Sequence, residues 1–152
     1  MKAEESGPMA SPGFWLHHAA LAWRAQMEAI LAPFGLTHTQ FMLLATTGWL
    51  EGTAGTPTQQ QVADRAGCDR QMTSRVVRTL QGRGLIARSS DHSNARALRL
   101  TLTNEGRDLT RQAIEAVRDL DLRMFGSDPS AIRGELRAIV EIRHTDDGLD
   151  VE

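Results

Sequence analysis

The sequence predicts a mainly α-helical fold with one small β-hairpin, and three observations carry that prediction. Apolar residues recur at three- and four-residue intervals along most of the chain. Two capping-box patterns, Thr37 with Gln40 and Thr58 with Gln61, each stand where a helix should open. The segment "ALRLTL" alternates Leu98, Leu100 and Leu102 with Arg99 and Thr101, which is the period of a strand.

Residues 1–12 read as a flexible arm, without the apolar core that a secretory signal needs. A helix is predicted from about Phe14 to Phe34. Leu16, Ala20, Trp23, Met27, Ile30 or Leu31, and Phe34 share one face of it, and Pro33 and Gly35 mark its end. "THTQFMLLATTGWLEG" is a second helix, followed by the loop "GTAGTP". Thr58 opens a short third helix, "TQQQVADRAG", and Gly67 with Cys68 makes a tight turn. Asp69 is placed to cap a fourth helix, which Gly82 and Gly84 end. "LIAR" and "ALRLTL" are strands around the polar turn "SSDHSN". Thr103, with Glu105 in the first turn, opens a long helix to about Phe125, striped by Leu109, Ala113, Val117, Leu120 and Met124. Asp128 and Pro129 start a last helix holding Ile132, Leu136 and Ile139 or Val140. An acidic tail, "HTDDGLDVE", closes the chain.

At 152 residues the chain is one domain's worth, and no apolar run approaches the roughly 18 residues of a membrane span. Its one cysteine allows no internal disulfide, which fits a reducing cytoplasm. The net charge of −2 is unevenly spread. From Thr58 to Leu102 eight Arg face three Asp and no Glu, a local balance of +5 inside an otherwise acidic chain. All but one of the basic residues are Arg, the type suited to forked contacts with phosphate or guanine.

The stretch "CDRQMTSRVVRTLQGRGL", residues 68–85, concentrates that charge. Thr73, Val76, Val77 and Leu80 make one apolar side, and Arg70, Gln71, Ser74, Arg75 and Arg78 make the other. Two helices joined by a short glycine-containing turn, with a hairpin after them, form a winged helix-turn-helix. Its second helix fits the DNA major groove with its N-terminal residues at base edges. Arg75 is the best-placed base contact, because Arg reads guanine through two acceptors at once. Gln71 and Ser74 can add hydrogen bonds, while Arg70 and Arg78 suit phosphates. Arg96, at the hairpin tip, suits a narrow minor groove, and Arg88 stands at the hairpin's base. Gln59 and Asn94 complete the expected DNA-contacting set.

With these residues placed, the chain resembles the MarR family of winged-helix transcriptional regulators. The segments that carry the resemblance are "LAPFGLTHTQFMLLA", "TQQQVADRAGCDRQMTSRVVRTLQGRGLIAR" and "NARALRLTLTNEG". They correspond to the helix before the motif, the helix-turn-helix itself, and the wing leading into the "LT-x-x-G" start of the long helix. The order of helices matches from about residue 14 to 141. The resemblance implies an obligate homodimer, with residues 13–36 and 103–143 as dimerisation helices flanking a DNA-binding region at 37–102, and an arm at 1–12 and a tail at 144–152. The wide apolar stripes of the terminal helices agree, since one winged domain could not cover them all. A two-fold dimer would present its recognition helices, roughly 34 Å apart, to double-stranded DNA at a near-palindromic operator. The implied function is cytoplasmic, sequence-specific transcription regulation, usually repression. There is one departure. Many members have Asp-x-Arg at the wing, where this chain has Asn94-Ala95-Arg96. Arg96 keeps the family's minor-groove role, but Asn94 cannot form an ion pair. Neutral hydrogen bonds, or Asp91 nearby, are left to shape the wing.

Family members often respond to small aromatic or phenolic molecules bound between the dimerisation helices and the winged domain. Trp15, His18, Trp23, His38 and Met42 lie in the two helices that would line such a crevice, although Trp and Met at this spacing also suit an ordinary core. His17 and His18 point about 100° apart on a helix, and no cofactor or metal ion is expected. Peroxide-sensing members carry a reactive cysteine in the first helix, where this chain has none, so Cys68 is expected to pack inertly. No nucleophile–base pairing, glycine-rich phosphate loop or suitably spaced carboxylate pair points to an enzyme. The competing reading is a winged-helix protein–protein interaction module without a DNA role, which the Arg-rich face disfavours.

Overall fold

A computed structural model describes residues 7–146, the side chains of residues 143–146 excepted. Its elements are α1 (Pro12–Leu31), α2 (His38–Ala54), α3 (Gln59–Ala66), α4 (Arg70–Gly82), β1 (Ile86–Ser90), β2 (Leu98–Leu102), α5 (Asn104–Phe125) and α6 (Ser130–Asp146). They fall into two compact units that divide between Val117 and Arg118, inside α5. No single helix among the described residues is long and apolar enough to cross a membrane.

Local chemistry sets each boundary. Pro12 occupies the first turn of α1, where its missing N–H is not needed. The helix therefore starts earlier than apolar spacing predicts. Residues 7–10, within the stretch expected to be a flexible arm, form a 3₁₀ turn, and the Trp15 indole N–H donates to the Met9 carbonyl at 2.8 Å. The first six residues of that arm lie outside the described residues. At its other end α1 stops at Leu31 rather than Phe34, and a 3₁₀ turn through Pro33 carries the chain to Gly35. Thr37–Gln40 and Thr58–Gln61 both close reciprocal capping boxes, with hydrogen bonds of 2.8–3.2 Å. The acidic tail, expected over 144–152, is helical as far as Asp146, and its remainder lies outside the described residues.

The first unit is the winged module with α1 packed on it. Met27 and Leu31 of α1, Leu43 and Leu44 of α2, Val62 of α3, Val77 and Leu80 of α4, Ile86 of β1 and Leu100 of β2 are all buried. The strands pair antiparallel, Ile86 opposite Leu102 and Ser90 opposite Leu98. β1 extends through Ser89 and Ser90, past the predicted "LIAR", because main-chain pairing needs no apolar side chain. On its free edge β2 meets the residues before α3: the Leu100 N–H donates to the Pro57 carbonyl at 2.9 Å, and Arg99 bridges to Thr58.

The stripe predicted along α1 divides in two. Met27 and Leu31 are buried, whereas Leu16 and Ala20 are exposed, and so are Trp15 and Leu21 beside them. In the second unit the apolar side chains of α6, Ile132, Leu136, Ile139 and Val140, are exposed as well. A mainly apolar trough of about 490 Å³ runs beside them, lined by Phe125, Ile132, Leu136 and Val140.

Candidate nucleic-acid interface

The interface is built on α4, whose orientation is fixed at both ends and along one side. Gly67 ends α3 in a left-handed conformation, φ 68°, that a side chain would strain. The Cys68 N–H then donates to Ala63 and the Gly67 N–H to Asp64, which turns the chain sharply out of the helix. Two residues on, the Asp69 carboxylate accepts from the Met72 N–H at 2.8 Å and caps α4. Thr73, Val77 and Leu80 are wholly buried. Full burial of each of the two aliphatic side chains contributes about 1.5–3 kcal/mol, so rotating α4 to hide another face is unfavourable. The opposite face is thereby held in solvent.

Arg70, Gln71, Arg75 and Arg78 all stand on that exposed face, with Ser74 half-buried at its margin. Among the described residues the guanidinium groups of Arg70, Arg75 and Arg78 make no hydrogen bond or ion pair. Gln59, at the start of α3, is different: it is half-buried, and its Oε1 is enclosed without a partner. Two arginines reach back into the fold. Arg88 Nε donates to Gln81 Oε1 at 2.7 Å, tying the base of the hairpin to α4. Arg83, past the end of α4, donates to the Gly35 carbonyl at 2.8 Å and to Gln40 Oε1 at 3.4 Å.

The wing tip is ordered by two side chains. Asp91 accepts from the Ser93 N–H (3.2 Å) and hydroxyl (3.1 Å) and pairs with the Arg99 guanidinium at 3.3 Å. The Ser93 hydrogen bonds, and then Arg99, hold its carboxyl below the usual carboxylate range. Arg99 also donates to the Thr56 carbonyl, ahead of α3. Asn94 makes a neutral contact, its Oδ1 accepting from the Arg96 N–H at 3.1 Å. Arg96 itself is exposed.

A cleft of about 440 Å³ lies between α1, α2 and the turn before α4, lined by Arg24, His38, Thr39, Met42, Ala66, Gly67, Cys68, Asp69 and Met72. Of the residues the sequence pointed to as ligand contacts, His38 and Met42 line it, and Trp23 meets the His38 ring edge-on with centroids 5.2 Å apart. Trp15 and His18 do not line it. They stand earlier on α1, both exposed, against Phe14. His38 Nε2 is buried without a hydrogen-bond partner among the described residues, and desolvation, with the nearby Arg24 charge, pushes its pKa down. Burial, and then the Asp69 carboxylate, push the Cys68 thiol up, which favours the thiol over the thiolate.

Gln81, Arg83, Asp91 and Arg99 organise this surface, yet only Asp91 could be singled out from sequence. The others act across 43 or 48 residues or onto a helix end, and no local pattern marks them.

The MarR family model matches residues 36–98. The transcriptional regulator YdcH of Bacillus subtilis is 36% identical over 122 residues, covering 80% of this chain and 83% of that protein. CouR from Rhodococcus jostii RHA1, solved bound to p-coumaroyl-CoA, is 26% identical with a TM-score of 0.76, over 90% of this chain and 94% of that one. The transcriptional repressor CouR bound to a 23-mer DNA duplex is similar too, with 25% identity and a TM-score of 0.67, over 91% of this chain and 93% of that one.

Proposed function

The chain belongs to the MarR family, and on that premise we propose that it works as a homodimeric, sequence-specific DNA-binding repressor released from its operator by a small aromatic ligand. It is a transcriptional regulator, not an enzyme. The observation that carries the DNA reading is the division of α4: Thr73, Val77 and Leu80 are locked inside, and Arg70, Gln71, Arg75 and Arg78 are left outside, their side chains unpaired among the described residues. α4 enters the major groove, Arg75 reads a guanine, and Arg70 and Arg78 grip phosphates. Gln71 and Ser74 hydrogen-bond nearby, Arg88 meets the backbone, and Arg96 enters the minor groove. Asn94 shapes the loop that presents Arg96, and Gln59 stands at the start of α3 behind the groove.

Residues 13–36 and 103–143 form the dimer interface. The exposed Trp15, Leu16 and Leu21 of α1 and Ile132, Leu136 and Ile139 of α6 support it, since a monomer would leave these side chains in water. The ligand occupies the cleft beside His38, Met42 and Trp23. Asp69 is both a wall of that cleft and the cap of α4, so an occupant can bias the helix that reads DNA. That CouR has been solved both with an aromatic CoA ester and with DNA supports the pairing of these two functions. By linkage, operator DNA weakens the ligand by the same factor by which the ligand weakens DNA.

Fluorescence anisotropy with a duplex from upstream of this protein's own gene, at two salt concentrations and against random competitor, tests the reading. Competitor-resistant binding that falls steeply with salt is expected. Absence of binding at low salt would sink it and favour a protein-interaction module.

A further inference from the structure

The wing of this chain lacks an acid at position 94, yet its tip is held by a different acid. Asp91 begins the loop and its side chain is only 12% exposed. Its carboxylate receives the Ser93 N–H and hydroxyl and the Arg99 guanidinium, and Arg99 in turn reaches the Thr56 carbonyl in the loop ahead of α3. Main-chain bonds complete the tie: the Asp91 N–H donates to Ala97 (3.0 Å), and the Ala97 N–H to Asn94 (2.9 Å). The chain from Asp91 to Ala97 is thus closed at its base by an ion pair and at its tip by the Asn94–Arg96 contact. A pair shielded on its acidic side is less screened than one between two exposed residues.

We infer that Asp91 and Arg99 are positioning residues that fix the wing against the loop before α3 and so aim Arg96 at DNA. The inference rests on the reading that the wing touches DNA. Asp91 touches no base or phosphate in this scheme; it acts through Arg96.

The test is a double-mutant cycle on the full-length protein. Wild type, Asp91→Asn, Arg96→Ala and the double variant are titrated by anisotropy against an A·T-rich duplex at low salt. Asp91→Asn is expected to weaken binding about fivefold to tenfold, and Arg96→Ala at least as much. The double variant should bind like Arg96→Ala alone, because a positioning residue has nothing left to position. A full additive loss in the double variant would overturn the inference, since Asp91 would then act by another route. Unchanged binding by Asp91→Asn, with Arg96→Ala impaired, would overturn it too and leave the wing–DNA contact standing. Unchanged binding by Arg96→Ala would remove the wing–DNA reading itself.

Amide hydrogen exchange without DNA gives a readout independent of that reading. Asp91→Asn, or Arg99→Gln if Asp91→Asn folds poorly, should speed exchange at Ala97 by about tenfold while Leu100 stays protected. Equal protection of Ala97 in the variant would overturn the inference.

Discussion

A Cβ added to Gly106 would stand 1.9 Å from the carbonyl oxygen of Leu85 and 2.8 Å from its carbonyl carbon. The start of α5 is pressed directly onto the chain where α4 ends and β1 begins. Thr103 completes the joint: its N–H donates to the Leu85 carbonyl at 3.2 Å, and its hydroxyl donates to the Gly84 carbonyl at 2.6 Å while accepting from the Gly106 N–H at 3.0 Å. The glycine is needed for proximity, not for an unusual backbone angle. Because the obstruction is main chain rather than a flexible side chain, it cannot swing aside. Gly106→Ala should therefore destabilise the fold by about 3 kcal/mol, the upper part of the usual overpacking range. Urea denaturation followed by circular dichroism would measure it, and a midpoint within error of wild type would contradict the contact.

That joint shows where reading the sequence stops. Helix starts were legible because a cap and its partner lie three residues apart, as at Thr37–Gln40, Thr58–Gln61 and Asp69–Met72. The burial side of α4 was legible because helical spacing places Thr73, Val77 and Leu80 together. The glycine of "LT-x-x-G" could be seen, but the Leu85 carbonyl that requires it lies across the hairpin. The same distance hid Arg99 from Thr56 and Arg83 from Gly35. The two-turn separation of Trp15 from Trp23 on α1, roughly 12 Å by helical rise, was readable. That only Trp23 would meet His38 depended on where α2 crosses α1.

Arg75→Ala should reduce operator affinity by about 1–3 kcal/mol and relax the preference for one base pair. Arg75 is exposed on α4 and its guanidinium is unpaired among the described residues, so its loss removes no internal contact. The thermal midpoint should stay within a degree or so of wild type, as for other surface changes. Binding measured against a set of singly substituted operators is the informative assay. A uniform loss across all sequences would reassign Arg75 from base to phosphate.

On the other side of the same helix, Thr73 is fully buried and its Oγ1 has no hydrogen-bond partner among the described residues. An unpaired buried hydroxyl costs about 1–3 kcal/mol, and Val replaces it with a methyl of similar shape. Thr73→Val should raise the urea midpoint, by about 1 kcal/mol of stability, with the m-value unchanged. DNA affinity should not move, since the groove-facing side of α4 is untouched. A lower midpoint would mean that the hydroxyl does have a partner, such as an enclosed water.

His38 makes stability depend on pH in a defined direction. Burial first, and then the Arg24 charge, lower its pKa from 6.5, with Glu28 opposing. The folded protein therefore holds the ring neutral at a pH where the unfolded chain has begun to protonate it. The unfolded state binds more protons in that window, so stability rises with pH through it. His38's contribution is complete above the unfolded value of 6.5 and is lost as pH falls through the depressed folded value. Urea midpoints taken from about pH 7.5 down to about pH 5 should fall more steeply for wild type than for His38→Gln, which cannot titrate. Parallel curves would show that the ring protonates equally well in both states. Its Nε2 would then have access to water, and the cleft wall beside Trp23 and Met42 would be open rather than closed.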